Sequence, residues 1–327
     1  IDAMGGDYAP KEQVVGSMLA IKNIQDIELT LYGDEKEIRK YLTDETRIKI
    51  VQSDGVIGMG EKDPISAIRS NRNSSMALSL TSVRNKENDG VVSSGATQAL
   101  IAGAHILVGR LKFMKRTAIA PLIPNVKGGS TILIDAGGNI EIKPEFMVQQ
   151  ATFAAVYAKE VMGIENPKVG LINIGTEPGK GREIDKQAFN LFTETPNFEF
   201  IGNVEPKEVL DPPCDVLVSD GFTANIVMKT VEGAAKGLGK ILKQEITRGF
   251  FGKIGSLFVR NNLKRFKNRL NPEEVGGAMI YGLKGVVVKA QGSSKAKGFA
   301  SGIRQAATIV RNDVINKVQN AIASERS

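Results

Sequence analysis

The chain of 327 residues, 42% of them hydrophobic, is long enough to bury the core of one large α/β unit. It carries 43 Lys and Arg residues against 36 Asp and Glu residues, a net charge of +7, and a single cysteine, Cys214. One cysteine excludes an intramolecular disulfide and suits a reducing compartment. No apolar run approaches the roughly 20 residues of a membrane-spanning helix, and the first residues lack a signal-peptide pattern. We therefore expect a cytoplasmic protein.

Short runs rich in Val, Ile and Leu alternate with helical patterns along the chain, which is typical of parallel strands covered on both faces. The runs predict strands at 28–33, 47–52, 90–93, 117–122, 131–135, 168–174, 198–202, 215–218 and 285–289. The helical patterns predict helices at about 10–24, 34–42, 64–87, 96–109, 144–162, 182–194, 222–247 and 296–325. No internal repeat is present, which excludes a solenoid.

These elements predict an α/β fold, with a doubly wound, mostly parallel sheet and helices on both faces. We expect residues 1–327 to form one catalytic unit, either a single body or two lobes around one cleft. The last predicted helix carries an apolar stripe, which indicates a contact with the core or with a second subunit. The stripe consists of Ile303, Ala307, Val310, Val314, Val318 and Ile322.

Gly, Ser, Asp and Asn residues open the chain and follow several of the predicted strands. In open parallel sheets, ligands bind outside the carboxyl ends of the strands, so these turns are expected to meet at one cleft. Glycine reaches positive φ at little cost and lets backbone amides approach an anion. The turns therefore predict a site for an anion or a polar ligand. Their residues are Asp2, Gly5, Gly6, Asp7, Ser93, Ser94, Gly95, Thr97, Asp135, Gly138, Asn139, Asp220, Gly221 and Asn225.

The sequence lacks the motifs of several common catalytic sites. Neither a GxxxxGK[ST] loop nor a tight GxGxxG after a strand is present. The one histidine, His105, lies in an apolar helical run, and Cys214 precedes a buried-strand pattern, so both are expected to be packed. One histidine argues against a Cys–His pair and against a multi-histidine metal site. We expect no metal and no cofactor.

A basic segment breaks the α/β pattern. Between Lys236 and Arg269 there are ten basic residues and one acidic residue, a net charge of +9 that leaves −2 for the rest of the chain. We predict that 236–272 forms a basic, Phe-rich helical protrusion. One interpretation is a helix that packs its apolar face on the core or on a second subunit, and the other is a tip that contacts an anionic membrane surface. The contact candidates are Phe250, Phe251, Lys253, Ile254, Leu257, Phe258, Val259 and Arg260.

Two motifs carry a resemblance to a known family. At Asp2-Ala3-Met4-Gly5-Gly6-Asp7 and at Asp220-Gly221-Phe222-Thr223-Ala224-Asn225, the chain resembles the bacterial phosphate acyltransferases of phospholipid synthesis, the PlsX family. The resemblance is colinear over essentially the whole chain. Its further matches are Arg69 with Asn73-Ser74-Ser75-Met76, Pro144-Glu145, Asn173-Ile174-Gly175-Thr176-Glu177, Gly202-Asn203-Val204-Glu205, Gly276-Gly277-Ala278 and Gly292-Ser293-Ser294.

The resemblance implies a reaction, a fold and a set of partners. Members of that family convert an acyl-(acyl carrier protein) thioester and inorganic phosphate into acyl-phosphate and free carrier protein, the first step toward glycerol-3-phosphate acylation. The implied fold resembles phosphotransacetylase and the isocitrate-dehydrogenase type, with a cleft and a homodimer interface. The implied location is peripheral, at the inner face of the cell membrane, near a membrane-bound glycerol-3-phosphate acyltransferase. Because the carrier protein is strongly acidic, the basic segment is an alternative docking surface for it.

The chain departs from the family pattern at several positions. Tyr8 and Gln291 stand where His is usual, and Ala224 stands where Gly is usual. Ala96 and Gln98 occupy a stretch that usually reads Gly-Asn-Thr-Gly. These departures put in doubt any mechanism that requires an imidazole at either position. We do not expect general-base catalysis by His, since phosphate is already an anionic nucleophile near pH 7.

The residues fit direct attack of a bound phosphate on the thioester, without a covalent enzyme intermediate. Donors must offset the desolvation of the phosphate dianion, and the candidates are backbone amides at the glycine turns and the hydroxyls of Ser94 and Thr97. We expect the cation to come from Arg69, Lys180 or Lys229. Asn139 or Asn225 would donate to the carbonyl oxygen as it gains negative charge.

The acidic residues of these turns would repel phosphate if they pointed at it. We expect Asp2, Asp7, Asp135 and Asp220 to orient Lys, Asn and backbone amides instead, with one of them available as an acid–base group. For Asp220, a helix N-cap is the alternative interpretation.

Two other classes of function are the alternatives. An NAD(P)-dependent decarboxylating dehydrogenase would share the fold type, but it requires an Arg set and clustered Asp ligands for a divalent metal, whereas the Asp residues here are scattered. A nucleic-acid-binding protein would explain the basic segment, yet no binding motif accompanies its Phe residues. We expect no nucleic-acid partner.

Overall fold

Strands and helices alternate along the chain in the computed structural model, which describes residues 1–112, 114–269 and 276–324. The strands are β1 (Leu29–Gly33), β2 (Ile48–Gln52), β3 (Gly90–Ser93), β4 (Ala118–Ala120), β5 (Leu122–Pro124), β6 (Ser130–Ile134), β7 (Lys168–Ile172), β8 (Glu199–Val204), β9 (Val216–Val218), β10 (Ala278–Tyr281) and β11 (Val286–Lys289). The α-helices are α1 (Lys11–Asn23), α2 (Glu35–Arg39), α3 (Pro64–Ser70), α4 (Ser75–Arg84), α5 (Thr97–Gly103), α6 (Pro144–Met162), α7 (Glu183–Glu194), α8 (Gly221–Ile246), α9 (Gly249–Arg269), α10 (Ala296–Arg311) and α11 (Val314–Ser324). A π-helical turn, Ala104–Val108, continues α5, and a 3-10 turn lies at Pro206–Glu208. Every predicted strand region contains a strand, and β10 is one that the pattern did not predict.

Two of the predicted helices are each divided into two. The region 64–87 contains α3 and α4, and Ser74 caps α4 by accepting a hydrogen bond from the amide of Ala77 (3.3 Å). The region 296–325 contains α10 and α11, with Asp313 between them at a φ of 50°. Apolar periodicity continues across both breaks because the halves pack on shared cores, so periodicity alone does not reveal them. Residue 325 lies outside the described residues.

The strands form three hydrogen-bonded sheets, with the orders β1-β2, β3-β11-β10-β4 and β5-β6-β9-β7-β8. Residues 1–3 join the first two sheets into one layer. The amide of Asp2 donates to the carbonyl of Val92, and the amide of Ala3 donates to the carbonyl of Tyr32, both at 3.0 Å. Most strand pairs are parallel, and the antiparallel ones involve β10 and β5. The predicted α/β class is therefore confirmed.

Pro121 moves the chain from one sheet to the other. The sequence predicted a single strand at 117–122, but β4 pairs with β10 while β5 pairs with β6 in a different sheet. Proline has no amide hydrogen with which to continue a strand ladder, although its carbonyl accepts from the amide of Leu133 (3.0 Å). Beside this crossing, the amide of Ala136 donates to the carbonyl of Ile119 (3.0 Å), so the two sheets lie side by side here.

The largest hydrophobic core packs α6, α10 and α11 against the sheets. Tyr281 of β10 stacks on Phe153 of α6 with ring centroids 4.3 Å apart, and its centroid lies 5.5 Å from that of Tyr157. In α11, Val314 and Val318 are fully buried within the chain itself. The apolar stripe of the last predicted helix therefore contacts the core in this part of the chain.

The later part of α8 and the whole of α9 form a two-helix hairpin, residues 228–269, that leaves the body. The buried residues of α8 are Gly221, Ala224 and Val227, all in its first two turns. Beyond Val227, every side chain described in α8 and α9 is at least partly exposed. The predicted segment 236–272 contains the end of α8 and the whole of α9, while residues 270–272 lie outside the described residues. No helix in the described ranges is both long and apolar enough to cross a membrane.

Candidate active site

Asp2 organises the turn that follows β3. Its buried carboxylate accepts hydrogen bonds from the hydroxyls of Ser75 and Ser93, both at 2.6 Å. The hydroxyl of Ser93 also accepts from the amide of Gly95 (3.0 Å). The carboxylate oxygens of Asp2 are thus directed at groups of the protein, as expected of a residue that orients its neighbours.

The Gly5-Gly6 turn packs directly on the turn after β3. The carbonyl of Gly5 accepts from Ser94 Oγ and from Gln13 Nε2, both at 2.8 Å. A Cβ atom on Gly5 would lie 2.5 Å from Asp2 Oδ2, and Gly6 has a φ of 108°, so both positions require glycine. We expected the hydroxyl of Ser94 as a phosphate donor, but it is fully buried and bonded within the protein.

Lys289 ends β11 beside these two turns, and the sequence analysis missed it. Its side chain is buried, and its Nζ donates to the carbonyl oxygens of Ser94 (3.5 Å) and Ala290. Burial lowers the pKa of Lys289 to about 8, although nearby carboxylates oppose the shift. The signal available in the sequence was a lysine that closes an otherwise apolar strand, Val286–Lys289.

Asp135 organises the turn after β6, where its φ is 64°. Its buried carboxylate accepts from the amides of Gly138 (3.1 Å) and Asn139 (3.0 Å) and from Asn139 Nδ2 (2.8 Å). Burial raises the pKa of Asp135 to about 7 because the loss of hydration outweighs these hydrogen bonds.

Asn139 Nδ2 also donates to the carbonyl of Thr117 (2.7 Å), and the carbonyl of Asn139 accepts from the amide of Gly221 (2.7 Å). Both amide hydrogens of Asn139 are therefore used within the protein, which leaves Asn225 as the better placed of the two expected donors.

Asp220 caps the N-terminus of α8. Its Oδ1 accepts from the amides of Phe222 and Thr223, both at 3.0 Å, and its Oδ2 accepts from Thr223 Oγ1 (2.8 Å). Arg182, just before α7, pairs with Asp220 and makes a two-point contact with Asp185 (2.8 and 2.9 Å). Burial alone would raise the pKa of Asp220, but the hydrogen bonds from Arg182 and Thr223 outweigh it and keep this pKa below its usual value. The N-cap interpretation is confirmed, and Arg182 is a partner that the sequence analysis did not identify.

Asn225, on the first turns of α8, faces the turn after β6. A Cβ atom on Gly137, where φ is 107°, would lie 3.2 Å from Asn225 Nδ2. Gln98 of α5 donates to the carbonyl of the same Gly137 (3.3 Å). The side-chain amide of Asn225 has no hydrogen-bond partner among the described residues, so its N–H donors are available here.

Contacts link the turns at the ends of β3 and β6 to the start of α8. Gln98 links the two sides through the carbonyl of Gly137, and α8 brings Asn225 to the same place. Lys229 of α8 is close enough to Lys289 to contribute to the lowering of its pKa. That all of these turns share one ligand site stays a prediction.

The three cations expected from the sequence lie at the surface. Lys229 is 65% exposed, with its Nζ 3.8 Å from Glu232 Oε2. Lys180, on the loop after β7, and Arg69, on α3, are also exposed. Thr97 is half-buried in the first turn of α5. The lysine that is buried beside these turns is Lys289 instead.

Cys214 and His105, which were expected to be packed, are both removed from full contact with solvent. Burial raises the pKa of the Cys214 thiol to about 12, so the thiol stays protonated near neutral pH. His105 is half-buried in the π-helical turn, and burial lowers the pKa of its imidazole. In the described ranges, no three His, Cys, Asp or Glu side chains are grouped so as to hold a metal ion.

Comparison with known proteins identifies the family. A family model described as fatty acid synthesis protein matches residues 1–317. A phosphate acyltransferase of Acholeplasma laidlawii (strain PG-8A) is 52% identical over 327 residues, which cover 99% of this chain and 98% of the relative. The chain belongs to the phosphate acyltransferase family. A phosphate acyltransferase of Geobacillus sp. (strain WCH70) is 41% identical over 327 residues, covering 100% of this chain and 99% of that relative.

A solved structure supports the same conclusion at the level of the fold. A phosphotransacetylase from Streptococcus pyogenes superimposes with a TM-score of 0.62 at 15% identity, covering 92% of this chain and 91% of that one. The expected phosphotransacetylase-like fold is therefore confirmed. As a member of the phosphate acyltransferase family, the protein is an acyltransferase enzyme that acts in acyl transfer to phosphate, in fatty acid and phospholipid synthesis. The dehydrogenase and nucleic-acid alternatives are not favoured.

Proposed function

We propose that this acyltransferase moves the acyl group of an acyl-(acyl carrier protein) thioester directly to inorganic phosphate. A phosphate oxygen forms a bond to the thioester carbonyl carbon, the carbon–sulfur bond breaks, and the carrier-protein thiolate leaves and takes up a proton. The observation that carries the proposal is a chain of contacts. Gly5 packs on Gly95 just before α5, Gln98 of α5 donates to the carbonyl of Gly137, and Gly137 lies against Asn225. Membership of the phosphate acyltransferase family supports the choice of acceptor.

On the phosphate side, we assign direct contact to the groups whose donors are not used by the protein. Among the described residues, the backbone amides of Gly5 and Gly6 donate to no other group, and Thr97 places a half-buried hydroxyl at the start of α5. Such donors would offset the desolvation of the phosphate dianion. The remaining candidates of the cleft would position these groups, because their own donors and acceptors are already paired; they are Asp2, Ser93, Ser94, Gly95, Asp135, Gly138, Asn139, Asp220 and Gly221.

On the thioester side, we assign Asn225 to the carbonyl oxygen. Negative charge develops on this oxygen when phosphate attacks, and an aimed amide donor stabilises it in the transition state. Lys180, Lys229 and Arg69 are exposed, so we place them where the carrier protein or an entering substrate would meet the rim of the cleft. The carrier protein is acidic, so such cations would chiefly raise the rate of association.

The test is release of carrier protein from palmitoyl-(acyl carrier protein) with and without phosphate, with mass detection of palmitoyl-phosphate. We expect carrier protein to be released only when phosphate is present. The amounts of released carrier protein and of palmitoyl-phosphate should be equal. Equal release without phosphate would show a thioesterase and would overturn the assignment of phosphate as the nucleophile.

We also propose that the hairpin contacts an anionic membrane surface, at the inner face of the cell membrane. Phe250, Phe251 and Phe258 are 73%, 86% and 85% exposed, which is unusual for such apolar side chains. They lie among Lys253, Arg260 and other basic residues, so apolar insertion and attraction to anionic lipid would act together. Acyl-phosphate is prone to hydrolysis, so release at the membrane would bring it quickly to a membrane-bound glycerol-3-phosphate acyltransferase.

Vesicle binding tests this second proposal. The protein is expected to sediment with phosphatidylglycerol vesicles and much less with phosphatidylcholine vesicles, since attraction at an anionic surface is about 1 kcal/mol per basic residue. Replacement of Phe251 and Phe258 by Ser should abolish binding, whereas Val56→Ser, at another exposed apolar residue, should not. If the double variant binds vesicles normally but has a raised KM for the carrier-protein substrate, the hairpin docks the carrier protein instead.

A homodimer is the proposed assembly. The single chain leaves Leu238 and Ile241 of α8 65% and 57% exposed, which supports a further contact along the hairpin. Sedimentation of the full chain should show a species of twice the 35.2 kDa chain mass, and a species of the chain mass at micromolar concentration would contradict the dimer.

A further inference from the structure

A buried ammonium group lies where β11 ends. Lys289 is 7% exposed, and its Nζ donates to two backbone carbonyl oxygens, those of Ser94 (3.5 Å) and Ala290. A lysine ammonium has three N–H donors, so these two acceptors leave one donor unused. Within the described residues, no carboxylate pairs directly with this Nζ.

The nearest carboxylates do not neutralise this cation by contact. Asp2 is bound to two serine hydroxyls. Asp7 is exposed. Its backbone amide, and not its carboxylate, bonds to the turn after β11 by donating to the carbonyl of Gly292 (2.9 Å). Burying a cation without a direct counter-ion is unfavourable, so an anionic ligand at this position would stabilise the folded protein.

Ser94 connects Lys289 to the glycine turn. The hydroxyl of Ser94 donates to the carbonyl of Gly5 (2.8 Å), and the carbonyl of the same residue accepts from Lys289 Nζ. Gly6 approaches so closely that a Cβ atom on it would lie 2.7 Å from Ser94 Oγ. The unused ammonium donor and the unused amides of Gly5 and Gly6 therefore lie around one residue.

We propose that Lys289 is the cation that binds the phosphate acceptor, with its remaining N–H donating to a phosphate oxygen. The inference rests on the proposed function and names a binding residue within it. The three exposed cations expected from the sequence remain hydrated, so they would contribute less to holding an anion than a desolvated ammonium does.

The charged groups that act on Lys289 come from two parts of the chain, the segment before α1 and helix α8. Burial lowers its pKa to about 8, the carboxylates of Asp2 and Asp7 oppose this shift, and Lys229 of α8 adds to it. At pH 7 the ammonium form therefore predominates, and a bound phosphate dianion would favour it further. Phosphate binding should weaken as the pH rises above about 8, because the amine then loses its charge.

Steady-state kinetics with palmitoyl-(acyl carrier protein) and phosphate test the inference. In Lys289→Met, which keeps the length of the side chain without its charge, the KM for phosphate should rise on the order of 10- to 100-fold, as expected for the loss of a charged hydrogen bond. The KM for the acyl substrate should stay within about twofold of the wild-type value. Lys284→Met, at an exposed lysine on the turn before the same strand, should leave both values unchanged.

A measurement on the wild-type protein keeps the inference testable if Lys289→Met fails to fold. Lysine labelled with 13C at Cε reports the titration of each ammonium group by NMR, and the Lys284→Met and Lys229→Met spectra help to assign the signals. Addition of inorganic phosphate should raise the pKa of Lys289 above 8. A Lys289 pKa that saturating phosphate leaves unchanged, or a Lys289→Met variant with the wild-type KM for phosphate, would overturn the inference while the proposed reaction stands. If the wild-type protein forms no acyl-phosphate, the proposed reaction is wrong. The NMR titration of Lys289 would then still test whether this residue binds phosphate.

Discussion

The polar residues of the candidate site are of two kinds, those whose hydrogen-bonding groups are paired within the protein and those that keep an unused donor. Asp2, Ser94 and Asn139 have their donors or acceptors paired within the protein, so they fix the shape of the turns. Asn225 and Lys289 retain donors that the described residues do not use. Replacement of Asn225 or Lys289 should therefore affect the reaction directly. Replacement of Asp2, Ser94 or Asn139 should affect it by changing the shape of the turns.

Replacement of Asn225 by Ala should lower kcat by about 100- to 1000-fold, the usual effect of removing one oxyanion donor. The KM for phosphate should change little, because the lost hydrogen bond strengthens only in the transition state. Asn85→Ala, at an exposed position after α4, provides the matched control. An unchanged kcat in Asn225→Ala would remove this residue from the mechanism.

The raised pKa of Asp135 makes the free energy of unfolding depend on pH. Its pKa is about 7 in the folded protein against an ordinary value of 3.8, so between these pH values the folded state holds a proton that the unfolded state has lost. The contribution to stability is therefore fully present below about pH 4 and is lost as the pH rises to about 7. The wild-type free energy of unfolding should fall relative to that of Asp135→Asn by up to about 1.4 kcal/mol per pH unit across this window. Urea denaturation at several pH values measures the difference, and a pH-independent difference would contradict the assignment.

At the scale of the elements, Arg182 ties the start of α7 to the start of α8. Its guanidinium pairs with the carboxylates of Asp185 and Asp220, which lie 5% and 2% exposed on the two helices. The N-terminus of α8 carries Asn225, so this link helps to fix where the side-chain amide of Asn225 lies. Sequence periodicity predicts helices and strands, but it does not predict a contact such as this one between the ends of neighbouring strands.

Arg182→Met should destabilise the fold by about 1–3 kcal/mol, because the charge-assisted hydrogen bonds are lost and a buried carboxylate keeps fewer donors. The pKa of Asp220 lies below its usual value in the folded state, so the stabilisation that it contributes is present near neutral pH and is lost on acidification. The difference between wild type and variant should therefore shrink as the pH falls below the ordinary carboxylate range. Arg84→Met, at an exposed arginine ending α4, is the control, and equal stability of all three proteins at pH 7 would contradict the role of the link.

Periodicity predicted most strands and helices correctly, and its failures share a physical cause. It joined β4 to β5 because Pro121 interrupts the ladder without interrupting the run of apolar residues. It joined α10 to α11 because both pack on one core. The strand β10, Ala278–Tyr281, is four residues long and follows two glycines, which is too short a pattern to separate from a turn.

At the scale of the whole molecule, the order of strands decides which turns lie next to each other. Parallel pairing places the ends of β3 and β11 side by side, and those of β6 and β9 likewise, as the strand pattern led us to expect. That all four turns share one cleft stays a prediction. The roles within the cleft were harder to predict. Whether Asn139 has a free donor depends on the carbonyl of Thr117, and whether Lys289 is buried depends on the turns around Gly5 and Ser94.

The molecule also separates a body that carries the candidate site from a hairpin that buries none of its described side chains. Under the proposed function, this division would let the hairpin meet a membrane or a carrier protein without moving the candidate site. Binding through the hairpin and chemistry in the body should therefore be separable by variants. Loss of vesicle binding in the Phe251 and Phe258 variant should leave turnover of a water-soluble acyl thioester nearly unchanged.

The most direct test of the central claim is a single turnover of excess enzyme with palmitoyl-(acyl carrier protein) in the absence of phosphate, followed by addition of phosphate. Direct attack predicts that no carrier protein is released and that the enzyme mass stays unchanged until phosphate arrives, when carrier protein and palmitoyl-phosphate appear together. Release of one equivalent of carrier protein before phosphate is added, with a palmitoyl group on the enzyme, would show a covalent intermediate and contradict the account.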